Sequence, residues 1–472
     1  MKEPMRAEHL IQATIVEISK YIDSGDTSAK ELVSIFLDRA TSLNKECHAF
    51  IEMMHDEAIK NAHRLDQTTR TGPLHGIPYG VKDIIDVKGV QTTGGSAVLK
   101  NNIAKEDSDV VATLRKAGAN ILGKLNLHEF AYGATGENTL YGTPVNAYDK
   151  SCLSGGSSSG SATAVAWGIL PFALGTDTGG SIRAPAALNG LVGLKPTYGK
   201  VSMQGIIPYC WSLDHVGIIA RSVRDVALIL DEISKPNSSK KSSKRAKGCN
   251  SYNEIINNQN AKGLRIGIPK EFFFENIDKE IKASTFKAVK YLESKGAILK
   301  DVKLPDMDHT RTVSLTIQMP EALSFHMPWL KDRSDYYSSD FRAGLALGQN
   351  ILAEHYVRCK RMLTTYRDRV NQIFNEVDLI ITPSTPIVAP KLGCKSVTIE
   401  NLTEPVGNAI TRFTSFFNMT GHPAISIPSG IHSNGLPIGV QLVGRQFGEL
   451  ELLKFAIILE GNPECAIPKP LF

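Results

Sequence analysis

The chain has 472 residues, of which 42% are hydrophobic and 21% are charged, so it can bury the core of a globular protein. It carries 53 Lys and Arg residues against 48 Asp and Glu, and the resulting charge of +5 is too small and too scattered to predict nucleic-acid binding. No run of 18 apolar residues occurs and no apolar leader opens the chain, so we expect neither secretion nor membrane association.

The seven cysteines are widely spaced, and their number is odd. None forms a CxxC pair or stands with a histidine at zinc-binding spacing, so no metal site is expected. We interpret the cysteines as reduced thiols, which are typical of a cytoplasmic protein. They are Cys47, Cys152, Cys210, Cys249, Cys359, Cys394 and Cys465.

Residues 8–67 show a helical pattern. Leu10, Ile15 and Ile18 recur at helical spacing, and the Asp-Thr-Ser sequence at 26–28 supplies an N-cap for the helix that follows. We therefore expect residues 1–70 to form a helical segment that packs on a larger domain comprising residues 71–472.

From about residue 74 the chain alternates between short β-type runs and helices, separated by Gly and Pro. Strands are predicted at 77–81, 120–123, 172–175, 264–269, 378–382, 423–428 and 437–443. Helices are predicted at 113–117, 162–167, 278–295 and 341–376. This alternation indicates an α/β fold, in which helices cover a sheet.

Residues 234–262 interrupt this pattern. The segment is rich in Ser, Lys and Asn and nearly free of apolar side chains. A basic run can contact nucleic acid, but a solvated loop or hinge is the interpretation that we prefer.

Two glycine–serine turns lie close together, GGSSSG at 155–160 and TGGS at 178–181. Either turn alone is consistent with a structural role, because Gly adopts unusual dihedral angles and Ser caps helices. A phosphate cradle is disfavoured, since neither a GxxxxGK[ST] motif nor an acidic ribose-binding residue at the expected distance is present.

The first turn also satisfies GxSxG, the nucleophile elbow of α/β-hydrolases, with Ser158 at its centre. His215, His355 and His422 lie downstream, so an esterase with a Ser158 nucleophile is an alternative. The pattern is weak, because a Ser-rich glycine turn meets it by chance, and it leaves the second turn unexplained.

A different hypothesis uses both turns. A serine nucleophile needs a base, and the oxyanion that it creates needs preorganised N–H donors. The backbone amides of Thr178, Gly179 and Gly180, beside Ser181, suit an oxyanion hole. Lysine can serve as the base where burial lowers its pKa, and Lys82 follows the apolar run at 77–81.

Three motifs make the chain resemble a known family: GIPYGVKDIID around Lys82, SGGSSSGSA, and GTDTGGSIRAPAALNGLVGLKPTYG. With them the chain resembles the amidase signature family of Ser–Ser–Lys amidohydrolases, strongly over residues 70–230 and more loosely over 375–445. The resemblance implies one large α/β domain with a mixed central sheet covered by helices on both faces. It further implies Ser181 as the acyl-enzyme nucleophile, Ser157 as the relay after a cis Gly156–Ser157 peptide, Lys82 as the base, and no cofactor.

The resemblance also implies a substrate class, the C–N bonds of small amides, carbamates or urea derivatives. The alternative is the A subunit of a glutamine-dependent tRNA amidotransferase. Such subunits hold the glutamine α-amino group with an acidic residue shortly before the motif that here reads FNMTG. This chain has TRFT at 411–414, without an acid, and Glu404 lies further upstream.

From these observations we expect a small-molecule amide or carbamate substrate and no nucleic-acid partner, with a homodimer as the candidate assembly. Three aromatic residues are candidates for the substrate pocket: Tyr132, Trp211 and Phe416. A non-catalytic binding protein with the same fold is a further alternative. It is disfavoured, because both glycine–serine turns and Lys82 are present at the spacing that the family resemblance implies.

Overall fold

The computed structural model describes residues 7–235, 261–468 and 470. Most of the polar loop predicted at 234–262 therefore lies outside the described residues. The six cysteines within them are free thiols. None of the described helices is both long and apolar enough to cross a membrane.

The N-terminal region is mainly helical, as predicted. Capping boxes, formed by Thr14 with Glu17 and by Ser28 with Glu31, begin its second and third helices. One short strand, β1 (Phe50–Met53), interrupts the helices and joins the sheet, which the sequence interpretation missed because four residues are too few to show a β period. The helices are α1 (Ala7–Gln12), α2 (Ile15–Asp23), α3 (Ala29–Cys47) and α4 (His55–Asp66).

Within the described residues, eleven strands form one sheet in the order β1-β3-β2-β4-β6-β5-β12-β13-β9-β7-β8. A separate hairpin consists of β10 (Ser396–Ile399) and β11 (Leu402–Pro405). The sheet strands after β1 are β2 (Pro78–Lys82), β3 (Asn120–Leu125), β4 (Phe172–Asp177), β5 (Val192–Lys195), β6 (His215–Ala220), β7 (Arg265–Ile268), β8 (Ile298–Asp301), β9 (Leu379–Pro383), β12 (Ala424–Ile431) and β13 (Pro437–Val443).

The sheet is mixed. β3, β2 and β4 are parallel to one another, as are β9, β7 and β8, and the pairs between these two groups are antiparallel. Every residue of β2, β3, β4, β6 and β13 is buried. Because successive side chains point to opposite faces, both faces of the sheet are covered, and the predicted fold class is confirmed.

Helices after the N-terminal region pack on the sheet or form a cap above one edge. The cap consists of α10 (Thr310–Arg333), α11 (Ser339–Gln349) and α12 (Ala353–Ile373), and both α11 and α12 pack on α10. The sequence predicted one helix at 341–376, whereas the structure has two helices there, α11 and α12, separated by residues 350–352. The other helices are α5 (Asp109–Lys116), α6 (Ser159–Ala166), α7 (Arg183–Leu188), α8 (Val223–Ile233), α9 (Lys279–Ser294), α13 (Val406–Thr411), α14 (Phe416–Met419) and α15 (Glu449–Glu460).

Candidate active site

Lys82 lies at the carboxyl end of β2, and its side chain is fully buried. Since β4 is parallel to β2, the ends of both strands meet at one edge of the sheet. There the Lys82 Nζ atom donates to Ser157 Oγ at 2.7 Å and to Thr176 Oγ1 at 3.0 Å. The structure therefore brings together two of the three residues predicted to move protons.

Burial lowers the pKa of Lys82 to about 7, while the nearby carboxylates of Asp214 and Asp177 oppose the shift. The adjacent Asp83 does not contact Lys82. Its carboxylate pairs with the buried Lys124, at 2.8 Å between Lys124 Nζ and Asp83 Oδ1. Lys82 can therefore lose its proton near neutral pH, as a general base must.

The first glycine–serine turn contains the cis Gly156–Ser157 peptide that the family resemblance implied. Beside it, the Ser158 hydroxyl donates to the Thr176 carbonyl at 3.0 Å and accepts the Thr176 amide at 3.3 Å. Ser158 is fully buried, and its hydroxyl is occupied by the backbone of β4. This arrangement argues against Ser158 as the nucleophile of an α/β-hydrolase elbow.

The second turn connects β4 to α7 and carries Ser181. The buried Asp177 holds it from below: its Oδ1 accepts the Gly180 amide at 2.8 Å and its Oδ2 accepts the Ile182 amide at 3.2 Å. Arg183 donates two hydrogen bonds to the same carboxylate, from Nε at 3.0 Å and from Nη2 at 2.9 Å. A charge-assisted, bidentate pair of this kind fixes the turn in one position.

These contacts correct one predicted oxyanion donor. The Gly180 amide is committed to Asp177, so it is not free to bind an oxyanion. Among the described residues, the amides of Thr178, Gly179 and Ser181 have no hydrogen-bond acceptor. Gly180 serves a different purpose: its φ is 132°, and a Cβ there would overlap the Thr414 hydroxyl, which donates to the Gly179 carbonyl at 2.7 Å.

Asp214 supports the other side of this turn. Its Oδ1 accepts the Thr178 hydroxyl at 2.6 Å, and its Oδ2 accepts the amides of Tyr209 and Cys210, each at 2.9 Å. Burial raises the pKa of Asp214 to about 7, and the charge of Lys82 opposes the rise. Asp214 thus joins the turn to the loop at 209–214 through hydrogen bonds. Its charge also acts on Lys82.

A cavity of about 930 Å³ opens above the turn. Thr178, Gly179 and Ser181 form its floor, and a volume of this size accommodates a small organic molecule. Its wall combines side chains from the loop at 128–137, the cap helices and the segment at 394–415. Polar and charged members of the wall include His128, Glu137, Arg311, Gln318, Asp340, Lys395 and Thr411.

Only one of the three predicted pocket residues lines this cavity. Tyr132 does so, with its ring 5.2 Å from that of Phe341 and 6.0 Å from that of Tyr209. The prediction for Trp211 is wrong, because its side chain is 46% exposed on the surface and outside the cavity lining. The prediction for Phe416 is wrong too, because its ring is fully buried against Tyr366.

The charged residues of the wall were missed by the sequence interpretation. Arg311 lies in the first turn of α10 and Asp340 in that of α11, more than a hundred residues after Ser181. No motif surrounds them, so no sequence signal could have identified them. Thr411 was singled out through the family resemblance, and it does line the cavity.

Comparisons with known proteins agree with this geometry. The family model for Amidase matches residues 31–453. The chain is 35% identical to the A subunit of the glutamyl-tRNA(Gln) amidotransferase of Symbiobacterium thermophilum, over 92% of this chain and 93% of that protein. It is 36% identical to the protein of the same name from Pseudomonas savastanoi pv. phaseolicola, over 94% and 96%.

Among solved structures, one with a TM-score of 0.91 and 33% identity covers 97% of this chain and 100% of its own. It is described by the words "An unexpected vestigial protein complex reveals the evolutionary origins of an s-triazine catabolic enzyme". These relatives contradict the expected partners, a small-molecule substrate with a homodimer as the candidate assembly: two of them are named as subunits of a tRNA amidotransferase, and the structural neighbour is described as a protein complex.

The alignments extend over nearly the whole chain and include both glycine–serine turns and the strand that carries Lys82. The family model and the relatives therefore agree on a common ancestry for the entire fold. The chain belongs to the amidase family, the amidase signature enzymes, and acts on carbon–nitrogen bonds.

Proposed function

We propose that this chain is the amide-hydrolysing component of an amidotransferase built from several subunits, in which it releases ammonia from glutamine. The observation that carries the proposal is its identity of 35–36% with two proteins named as the A subunit of such an amidotransferase, over more than nine tenths of each. The hydrogen bond from Lys82 to Ser157, below a cavity that Ser181 lines, supports the proposed hydrolysis of the amide.

In the proposed mechanism Ser181 is the nucleophile. Neutral Lys82 takes a proton from Ser157, Ser157 takes one from Ser181, and the Ser181 oxygen attacks the amide carbon. The protons return along the same path to the leaving nitrogen, and ammonia departs from an acyl-enzyme. Water then attacks the ester by the same route, which frees the acid and restores Ser181.

The oxyanion formed in each attack needs donors that are already in place. We assign this role to the amides of Thr178, Gly179 and Ser181, which lie on the cavity floor. Asp177 and Asp214 hold the turn from two sides, so the donors do not have to reorganise during the reaction. Every step uses only side chains and amides of this chain.

Recognition of the glutamine α-ammonium requires an acidic group. The TRFT stretch at 411–414 lies where the family resemblance places an acidic residue and contains none, and the Thr411 hydroxyl donates to the Gly407 carbonyl at 3.0 Å. Glu404 is already paired with Arg412, at 3.0 Å. Asp340 lines the cavity but is paired with His128 at 3.2 Å, so we assign the α-ammonium to Glu137, which lines the cavity as well.

A second candidate function follows from the absence of an acid at Thr411. The structural neighbour with a TM-score of 0.91 is described as a protein complex that reveals the evolutionary origins of an s-triazine catabolic enzyme. In this alternative the same Ser181 chemistry, within a complex, would cleave a C–N bond of an s-triazine breakdown product that lacks an amino-acid moiety.

The test is to isolate the tagged chain from its native cells together with the proteins that co-purify. We expect this complex to convert glutamine to glutamate and ammonia in equal amounts, and to pass the ammonia to Glu-tRNA(Gln) when ATP is supplied. The same complex carrying Ser181→Ala is the control. A complex that leaves glutamine intact but hydrolyses urea-type products of s-triazine breakdown would replace the first candidate with the second.

A further inference from the structure

Arg311 is a charged residue of the cavity that the proposed mechanism does not use. It lies in the first turn of α10, is exposed to the cavity, and shares that cavity with Ser181. Among the described residues it has neither a hydrogen-bond acceptor nor an ion-pair partner. A guanidinium carries five N–H donors in a planar fork, so Arg311 can offer its full binding capacity to a ligand.

The surroundings of Arg311 favour an anion. Glu404 is the carboxylate whose charge acts on it most strongly, but this carboxylate is paired with Arg412 at 3.0 Å between Arg412 Nη2 and Glu404 Oε1. Two guanidinium groups share one carboxylate there, so Arg311, Arg412 and Glu404 together carry a net charge of +1. The hydroxyls of Tyr132 and Tyr209 lie near Arg311 as well.

Burial lowers the pKa of Arg311, and Glu404, Tyr209 and Tyr132 oppose the shift, so the side chain is partly withdrawn from water. In such a setting a charge-assisted hydrogen bond is stronger than on an open surface. The other cations of the wall are less suited to this role. His128 is paired with Asp340 at 3.2 Å, and Lys395 offers a point charge on a flexible stem instead of a fork.

We propose that Arg311 is the specificity-determining residue of this site and binds a carboxylate of the substrate while Ser181 attacks its amide. The enzyme then selects amides that carry a carboxylate over neutral amides of the same length. This inference rests on the Ser181 chemistry of the proposed function, but it holds for any carboxylated substrate, whether or not that substrate is glutamine.

The test uses two probes that differ only in the carboxylate, glutaramate and valeramide, with the complex purified from native cells. For the intact enzyme we expect kcat/KM to be higher for glutaramate. Arg311→Met should lower the ratio of the two kcat/KM values by about 10- to 100-fold, mainly through the KM for glutaramate. Arg311→Lys should recover part of the ratio, and the control Lys331→Met, at an exposed cation of α10 outside the cavity lining, should keep it.

Protection of Ser181 from a fluorophosphonate label is a second measurement, which does not require turnover. Glutarate should protect the intact enzyme but not Arg311→Met. An intact enzyme that neither prefers glutaramate nor is protected by glutarate would overturn the inference, as would an unchanged ratio of kcat/KM values in Arg311→Met. Because glutamine is in neither assay, these outcomes are independent of whether the complex is a glutaminase.

Discussion

The floor and the wall of the cavity differ in how the sequence builds them. The floor comes from β2 and from 27 successive residues, 155–181, that include both glycine–serine turns. Its polar side chains Lys82, Ser157 and Asp177 are buried and hydrogen-bonded within the floor. The wall comes from separate segments between residues 128 and 415, and several of its charged side chains, Arg311 and Lys395 among them, are exposed to the cavity.

This contrast indicates a division of labour. A substitution among the buried, hydrogen-bonded side chains of the floor removes a hydrogen-bond partner from a neighbouring group. It therefore affects either the chemical step or the stability of the fold. Changes in an open wall leave the network intact and affect which substrate binds. The predictions below test that division, beginning with the largest expected effect.

Ser181→Ala should remove turnover by about 10,000-fold or more, because no other group can form the acyl-enzyme. Its matched control on the floor is Ser158→Ala, which removes a hydroxyl bound only to the backbone of Thr176. That variant should lose stability by about 1 kcal/mol and retain most of its turnover. Initial rates and thermal unfolding of both variants provide the measurement; an inactive Ser158→Ala with an active Ser181→Ala would restore the elbow hypothesis.

Two buried lysines, Lys82 on the floor and Lys124 on the neighbouring strand β3, should respond in opposite ways. Lys82→Met should lower kcat by about 100- to 10,000-fold with little loss of stability, because burial already disfavours its charge, and Lys82→Arg should not rescue it. Lys124→Met should instead destabilise the fold by about 3–5 kcal/mol, because it leaves the Asp83 carboxylate buried and unpaired. Denaturant unfolding combined with kinetics separates the two effects. Near-normal turnover in Lys82→Arg would show that Lys82 is structural.

Asp214→Asn tests the electrostatic link between the loop and the base. The Asp214 charge raises the pKa of Lys82, so its removal should shift the rising limb of the pH profile of kcat/KM to lower pH. The rate plateau should fall by about 10-fold, because the Thr178 turn loses part of its support. An unchanged midpoint, or a shift to higher pH, would mean that the two groups are not coupled.

The smallest effects should come from the aromatic residues. Tyr132→Ala should raise KM by about 10-fold, because it removes an aromatic face from the cavity wall. Trp211→Ala should change KM by less than about 2-fold, since its side chain lies on the surface. Phe416→Ala should cost about 3–5 kcal/mol of stability without a specific effect on KM. Substrate saturation curves for the three variants, beside their unfolding curves, distinguish these outcomes.

Sequence predicted the floor better than the wall, for a physical reason. The candidate base and nucleophile lie in short motifs where backbone conformation is dictated locally, so Lys82 and Ser181 were singled out from the residues, and the relay role of Ser157 came from the family resemblance. The hydrogen bond from the Gly180 amide to Asp177 could not be predicted from the sequence, because it depends on the orientation of one peptide group. Arg311 reaches the cavity only through the tertiary packing of the cap, which no local pattern encodes.

The same reasoning applies to the fold. Strands such as β4 and β13 are continuous apolar runs and were placed correctly, whereas β1 is a short edge strand whose pairing with β3 comes from a distant part of the chain. Helix α10 was not predicted, because Pro320 and Pro328 lie inside it and proline usually signals a helix end.

The proton path from Lys82 through Ser157 to Ser181 is tested most directly by the pH dependence of fluorophosphonate labelling, with the labelled residue identified by mass spectrometry. A neutral lysine is required for attack, so labelling should occur on Ser181 and should accelerate as the pH rises through about 7. In Lys82→Met the labelling should be slow at every pH. A label on Ser158, or a rate on Ser181 that does not change across this pH range, would contradict the account.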